Sequence, residues 1–323
     1  MSAETRIRPA RARSDYEACV ALQRQVWGLV DLEITPAIQL IATIHAGGLL
    51  LVAEEVNARI VGFAYAFPAI GEGAAHLHSD MLAVLPEARG RGLGLRLKWA
   101  QREEARRRGI SLLTWTFDPM QAHNASLNLR HLGAIGIEFR PDFYGTTSSP
   151  LHHGLPTDRL LVRWELDSPR VRQRATTGPS AEGGASAPRI NEVAWCEGGP
   201  VSGAPRLDLD APELRLDIPA DWNALCRVAP KEAAAFQAHV AAAFQAYLAR
   251  GYVASGFSPS TTGPFYLLRR EQEGAGTRRR GPKAGRHRRR SATTGPSSIH
   301  SRSRRRGRRQ GRRGGAPAGR DRR

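Results

Sequence analysis

From Met81 to Lys98 the chain reads Met-Leu-Ala-Val-Leu-Pro-Glu-Ala-Arg-Gly-Arg-Gly-Leu-Gly-Leu-Arg-Leu-Lys. An apolar strand gives way to Pro86 and to three alternating glycines, Gly90, Gly92 and Gly94, after which Leu95 to Ala100 begins a helical pattern. A strand, a glycine loop and a helix start in this order constrain what the segment can do. The first N–H groups of the helix have no acceptor within it, and the helix dipole adds partial positive charge at the same point. Both favour a bound phosphate or pyrophosphate, and Arg89 and Arg91 add full charges inside the loop.

Three kinds of phosphate loop compete. A nucleoside triphosphate loop requires Gly-x-x-x-x-Gly-Lys-Ser/Thr, and no Lys-Ser or Lys-Thr follows these glycines. A dinucleotide loop is a closer rival, because a strand precedes the glycines and Asp118 ends the next apparent strand about where a ribose-binding acid would lie. Its spacing is nevertheless Gly-x-Gly-x-x-Gly, whereas this chain has Gly-x-Gly-x-Gly with Pro86-Glu-Ala-Arg89 set between strand and glycines.

The flanks supply an order of elements. Ile7 to Ala10 reads as a short strand, and Ser14-Asp15 as the cap of a helix whose apolar stripe includes Tyr16, Cys19, Val20 and Trp27. Pro36 opens a second helix over 37–45, ended by Gly47-Gly48. The runs Leu49–Glu54 and Ile60–Phe67 flank a turn at Asn57-Ala-Arg59, and His76–Val84 would be their third antiparallel partner. After the loop comes a helix over 93–108 with a basic, solvated outer face that includes Arg102 and Arg106. Ser111–Phe117 is then a buried strand, parallel to the one before the loop, and Ile137–Arg140 and Arg159–Leu166 close the sheet.

The pattern Arg89-x-x-Gly92-x-Gly94, placed after a strand ending Leu82-Ala-Val-Leu-Pro86, resembles the acetyl-coenzyme A loop of the GNAT superfamily of N-acetyltransferases. The elements Asp118-Pro-x-Gln121, Asn124-Ala-x-x-Asn128, Leu132-Gly-Ala134, Phe143-Tyr-Gly145 and Asp158-Arg-Leu160 resemble a predicted-acetyltransferase branch of it, over residues 5–167 and more loosely 205–270. The resemblance implies an α/β fold with a GNAT-type mixed, mostly antiparallel central sheet and flanking helices. It also implies acetyl-coenzyme A as cosubstrate and an acetyl group passed by direct attack of an amine in a ternary complex. The cofactor contacts it implies are Leu82, Val84 and Leu85 on the strand, Arg89, Gly90, Arg91, Gly92, Leu93 and Gly94 in the loop and helix start, and Asn124, which also reads as a helix cap.

The catalytic residues are less determined. His78 occupies the strand position where some relatives carry a catalytic glutamate, and strand alternation places His76 and Asp80 on its face. The competing reading is a set of polar residues at a strand end. His131 stands where many members have the tyrosine that protonates the departing thiolate, and Tyr144 and His123 are further candidate acids.

The expected organisation is a GNAT acetyltransferase domain over 1–168, a linker over 169–204 rich in small residues and proline, a smaller C-terminal α+β extension over 205–270 and a disordered Arg-rich tail over 271–323. That tail holds 19 Lys and Arg against three acids, and so carries +16 of the net charge of +18. The extension echoes the second half of a GNAT domain and would either lengthen the sheet or form a degenerate second half. Cys19, Cys196 and Cys226 have no paired spacing, so neither a disulfide framework nor a metal site is expected. No apolar run is long enough to span a bilayer, and the expected location is the cytoplasm. The expected partner is a small-molecule or protein amine acceptor; non-specific polyanion contact by the tail and a homodimer are left open. Two alternatives stand beside the enzyme: an inactive acyl-coenzyme A-binding or regulatory protein on the same fold, and a polyanion binder acting through its tail.

Overall fold

The computed structural model describes residues 5–71, 75–179, 183–259 and 263–271. Apart from Glu271, the expected Arg-rich tail lies outside the described residues.

In chain order the elements are β1 (Thr5–Pro9), α1 (Arg13–Trp27), α2 (Ala37–His45), β2 (Leu49–Glu55), β3 (Ile60–Ile70), β4 (Ala75–Val84), α3 (Leu93–Arg107), β5 (Leu112–Phe117), α4 (Ala122–Ala125), β6 (Ile135–Arg140) and β7 (Arg159–Glu165). There follow α5 (Pro169–Thr177), β8 (Val193–Cys196), β9 (Gly199–Ser202), β10 (Glu213–Asp217), α6 (Trp222–Val228), α7 (Pro230–Ala249), β11 (Tyr252–Ser258) and β12 (Phe265–Arg270). Ten strands form one sheet in the order β1-β2-β3-β4-β5-β7-β6-β11-β12-β10, and β8 and β9 form a separate hairpin. Only β4 and β5 run parallel among these sheet neighbours, joined by the α3 crossover, so the sheet is mixed and mostly antiparallel.

Alternation along β3 and β4 separates two helical layers. Tyr65 pairs with Met81 and Phe67 with His78 on one face, where the Tyr65 hydroxyl donates to Thr43 Oγ1 of α2 at 2.9 Å and Phe63 meets Trp27 of α1 edge to face. Ala66 and Ser79 point to the other face, where α3 lies with Lys98 Nζ bonded to Ser79 Oγ at 2.9 Å. The register slips by one residue between Tyr65 and Ala66, leaving Asp80 as a bulge in β4.

Several expectations change in detail. Helix α1 starts at Arg13 behind an Ala12 cap, and Asp15 acts from within its first turn. Its Oδ2 accepts from Arg11 N at 2.8 Å and Ala12 N at 3.1 Å, while the Arg8 guanidinium bridges Asp15 and Glu54 at 2.7–2.9 Å, tying β1, α1 and β2 together. The outer face of α3 is not uniformly solvated, since Arg102 is buried with Nε donating to Leu166 O at 2.8 Å. The helix after β5 opens at Ala122 rather than at Asn124, and widens into π-type turns over Ser126–His131.

Within the segment expected as a linker, α5 and the β8–β9 hairpin are regular structure, and α6 was not foreseen. The segment expected as an extension joins the main sheet through β11, whose Ala254 pairs with Gly136 of β6. Helix α7 seals the junction: Phe244 stacks on Phe139 with ring centroids 5.8 Å apart, and Gln237 donates to Pro156 O and Asp158 Oδ2. A Cβ on Gly136 would lie 2.7 Å from Leu160 Cδ2 and 3.0 Å from Ala254 Cβ, so only glycine fits that approach.

Gly136→Val is therefore expected to destabilise the protein by about 1–3 kcal/mol through overpacking, read from urea unfolding. The Arg8 contact holds the Asp15 carboxyl well below the usual carboxylate range, so its contribution is present above the unfolded value and is lost as pH falls through the folded one. Asp15→Asn should accordingly cost about 1.5–3 kcal/mol at pH 7, and the gap from the parent should shrink progressively below about pH 4.

Candidate active site

Strands β4 and β5 are bonded only at Leu77 with Leu113 and at His78 with Thr114. Beyond that point β4 continues through the Asp80 bulge to Val84 against β3, while all of β5 stays paired to β7. The two parallel strands thus part, and the facing backbone groups of 79–84 and 115–117 have no strand partner across the gap.

The glycine loop lies at the open end of this gap. Gly90 and Gly92 have φ of +77° and +68°, the left-handed region where a side chain is strained, and Gly92 is the N-cap of α3. Arg96 N bonds back to Gly92 O at 3.0 Å, so the amides of Leu93, Gly94 and Leu95 precede the first acceptor of the helix. A Cβ on Gly90 or Gly92 would meet nothing within 4 Å, and one on Gly94 would reach Leu82 Cδ2 at 3.8 Å. Open space, free amides and Leu82 thus adjoin one another, which fits an anion with an apolar arm. Arg89 is anchored by Nε to Val84 O at 3.1 Å, and Arg91 approaches Glu55 at 3.7 Å. The side chains of Leu85 and Leu93 are in the core, so these residues face the loop only with backbone. Asn124 is half-buried in the first turn of α4, and its side chain makes no hydrogen bond among the described residues.

On the face shared with α1 and α2, cross-strand register sets His78 beside Thr114 and Thr114 beside Arg163; Thr116 stands beside Leu161, and Arg159 beside Arg140. Thr114 Oγ1 lies 3.0 Å from His78 Nδ1 and 3.1 Å from His76 Nε2. One hydroxyl carries one proton, so at least one imidazole must donate to it, which couples the two rings. Burial, helped by the neighbouring His76, Lys98 and Arg140 charges, pushes His78 down to about 4. Asp80, on the bulge, is open to solvent at its surface yet crowded enough that desolvation raises its carboxyl. Tyr144 is half exposed, with its hydroxyl 3.4 Å from Thr116 Oγ1 and the Arg159 guanidinium 5.1 Å from its ring centroid.

His131 lies elsewhere. Its π-type turn packs on the opposite face, where Leu132 O accepts from Trp164 Nε1 at 2.8 Å, and its neighbours are Arg130, His123 and Arg174. His78 and Tyr144 are therefore brought to one face, across Thr114 and Thr116, and His131 is not. Beneath the gap Lys98 is 2 % exposed, bonded to Ser79 Oγ and Gln101 Oε1 and 3.7 Å from the centre of the Trp115 ring, and burial pushes it down to about 7. Burial pushes the thiols of Cys19 and Cys226 up to about 12 and about 11. No group of three or more His, Cys, Asp or Glu that could hold a metal occurs among the described residues.

Sequence reasoning did not single out Thr114, Thr116, Lys98 or Arg159. A strand of alternating Leu-Leu-Thr-Trp-Thr-Phe shows that its threonines share a face, but not that two histidines 36 and 38 positions earlier bond to one of them.

Residues 46–129 match the acetyltransferase (GNAT) domain model. No curated protein shows significant sequence similarity to the chain. Among solved structures, the ribosomal-protein-S18-alanine N-acetyltransferase of Escherichia coli is similar over 51% of this chain and 96% of its own, at 16% identity and a TM-score of 0.41. The ribosomal-protein-alanine N-acetyltransferase of Brucella melitensis aligns over 49% of this chain and 98% of its own, with 24% identity and a TM-score of 0.40. A GNAT superfamily phosphinothricin acetyltransferase of Sinorhizobium meliloti, in complex with acetyl-coenzyme A, covers 49% of this chain and 86% of its own at 20% identity and a TM-score of 0.41. The match over residues 46–129 runs from the end of α2 through the glycine loop to the π-type turn, and over that span the chain is similar to the GNAT acetyltransferase domain.

Proposed function

We propose that this chain transfers an acetyl group from acetyl-coenzyme A to the nitrogen of an amine acceptor, by direct attack with both substrates bound. The observation that carries this reading is the parting of β4 from β5 directly ahead of a glycine loop at a helix N-terminus, inside the GNAT match. The amides of Leu93, Gly94 and Leu95, with Arg89 and Arg91, would hold the pyrophosphate. Leu82, Val84 and the open backbone edge of β4 would take the apolar and amide parts of the arm, with Asn124 as a side-chain donor. When bound, the cosubstrate supplies a thioester carbonyl activated toward amines.

The remaining work falls to the chain's own residues. The open face of β5 and β7 would place the amine near the gap, and the unpaired amides of β4 beyond His78 are donors for charge building on the carbonyl oxygen. A proton must leave the amine. His78, held at about 4, is neutral at pH 7 but accepts a proton weakly, whereas desolvation makes the Asp80 carboxylate a stronger acceptor than usual. We assign the base to Asp80 and the return of a proton to the departing sulfur to Tyr144, with His76, His78 and Thr114 closing the end of the gap where the strands last pair. The buried thiols of Cys19 and Cys226 are protonated at neutral pH, so neither is an activated nucleophile for a cysteine-bound acetyl group.

Two measurements test this reading. Gly94→Val adds its Cβ at ordinary packing distance from Leu82, so the variant should keep its melting temperature. Its affinity for acetyl-coenzyme A in calorimetric titration should fall about 100-fold, near 2.7 kcal/mol, and retained affinity would remove the loop assignment. The second is the pH dependence of kcat/KM with one acceptor. A base works deprotonated, so activity is lost as pH falls through its pKa, and a raised Asp80 moves that loss above the ordinary carboxylate value of about 3.9. Asp80→Asn should lower the rate about 10²–10⁴-fold and abolish this limb, whereas His78→Asn should leave the limb where it is. The reverse pattern would transfer the role to His78.

A further inference from the structure

The open sheet face beside the gap carries three arginines, and two of them are matched by carboxylates. Arg140 pairs with Glu138 at 3.1 Å, and Arg163 with Glu165 at 3.2 Å and Glu271 at 2.8 Å. Arg159 forms no ion pair among the described residues. Its Nη1 donates to Asp158 O and its Nη2 to His152 Nε2, each at 3.0 Å. That bond makes Nε2 the acceptor, so the ring proton lies on Nδ1, 2.6 Å from Thr147 Oγ1. Burial and the adjacent guanidinium both push His152 downward, keeping it neutral. The neighbouring acids are engaged elsewhere: Asp118 accepts from Met120 N and Gln121 Nε2, and Asp158 from Asp142 N and Gln237 Nε2.

Arg159 is thus a fixed positive charge, oriented by two neutral acceptors and laid over the Tyr144 ring, whose hydroxyl reaches Thr116 on the wall of the gap. No carboxylate among the described residues touches this half-buried guanidinium, and Asp118 acts on it only through space, so its donors are suited to pair with a carboxylate supplied by a ligand. We infer that Arg159 binds a carboxylate of the acceptor, so that the amine acetylated here belongs to an amino-acid-like molecule. This rests on the acetyl-transfer reading and specifies its substrate class. The carboxylate sits on Arg159 and the acceptor's chain runs past Tyr144 and Thr116, so the amine that reaches the gap stands several bonds from the carboxylate, as a side-chain amine does. The proton and the acetyl group move as in the proposed reaction, with the carboxylate left unchanged.

The test offers the full chain the common α-amino acids, each beside its carboxamide, with acetyl-coenzyme A, and follows free thiol release. The expected result is turnover of one or more acids with kcat/KM about 10- to 100-fold above the matching amide, the size of one charge-assisted contact. In Arg159→Gln that ratio should collapse toward one, and Arg159→Lys should recover part of it. Calorimetric affinity for acetyl-coenzyme A is measured on each protein. Equal use of acids and amides by the parent, no acetylated amino acid despite acetyl-coenzyme A binding, or a ratio unchanged in Arg159→Gln would each overturn the inference. Loss of acetyl-coenzyme A binding by the parent chain would instead overturn the reading beneath it. Should Arg159→Gln fold poorly by its melting temperature, the acid-to-amide ratio of the parent and of Arg159→Lys still decides the matter.

Discussion

Two residue pairs, Leu77 with Leu113 and His78 with Thr114, join the parallel strands at the centre of the sheet, and the remaining architecture is arranged around the parting beyond them. A buried strand edge left without partners is costly, because each amide and carbonyl needs a hydrogen bond. Here β4 keeps its other edge on β3 along its length and β5 keeps its other edge on β7, so neither strand collapses across the gap. The Asp80 bulge adds local twist to β4 just past the last shared pair. The gap is then a strand edge left open inside the sheet, with the glycine loop at its far end.

Beneath this parting the α3 face carries an ammonium without a carboxylate. Lys98 is surrounded by Ser79, Gln101 and the Trp115 ring, and its depression to about 7 reflects the cost of burying a charge that only dipoles and a π face stabilise. Its positive form also helps to hold His78 deprotonated from the other side of the sheet. The histidine wall and the buried lysine are therefore one electrostatic unit, although β4 lies between them.

What the sequence discloses follows from how local the responsible physics is. The loop was legible because positive φ at Gly90 and Gly92, the N-cap and the charges of Arg89 and Arg91 are all written within six residues. The order and pairing of β2, β3 and β4 were legible for the same reason, through short turns and alternation. The bulge at Asp80 has no local signature, since it depends on how Ala66 and Tyr65 take up register against a strand more than ten residues away. Arg159 takes its setting from His152, Tyr144 and the Asp158 carbonyl, and the Asp158-Arg-Leu160 element in the sequence shows none of those contacts. The Ser14-Asp15 pair was recognised as a cap, but its exact place depended on Arg8 and Glu54 arriving from two other strands.

The C-terminal strands show the same limit on a larger scale and suggest why they are present. In the order β5-β7-β6-β11-β12-β10, each group of three has its chain-first strand outermost, its last strand in the middle and its second strand at the junction, with a helix between first and second. The two groups mirror one another about the Gly136 and Ala254 contact, so β11 meets β6 as a counterpart of β6 itself. An exposed β6 edge would be a template for pairing with another chain. Here the chain covers that edge with its own strand, and the Phe139–Phe244 stack and the Gln237 bonds to the 156–158 turn make the cover part of the core. Because Tyr266 of β12 also donates to Pro119 O at 2.7 Å, directly after β5, the added strands brace the wall that carries Thr116 and Arg159, and site and extension are mechanically continuous.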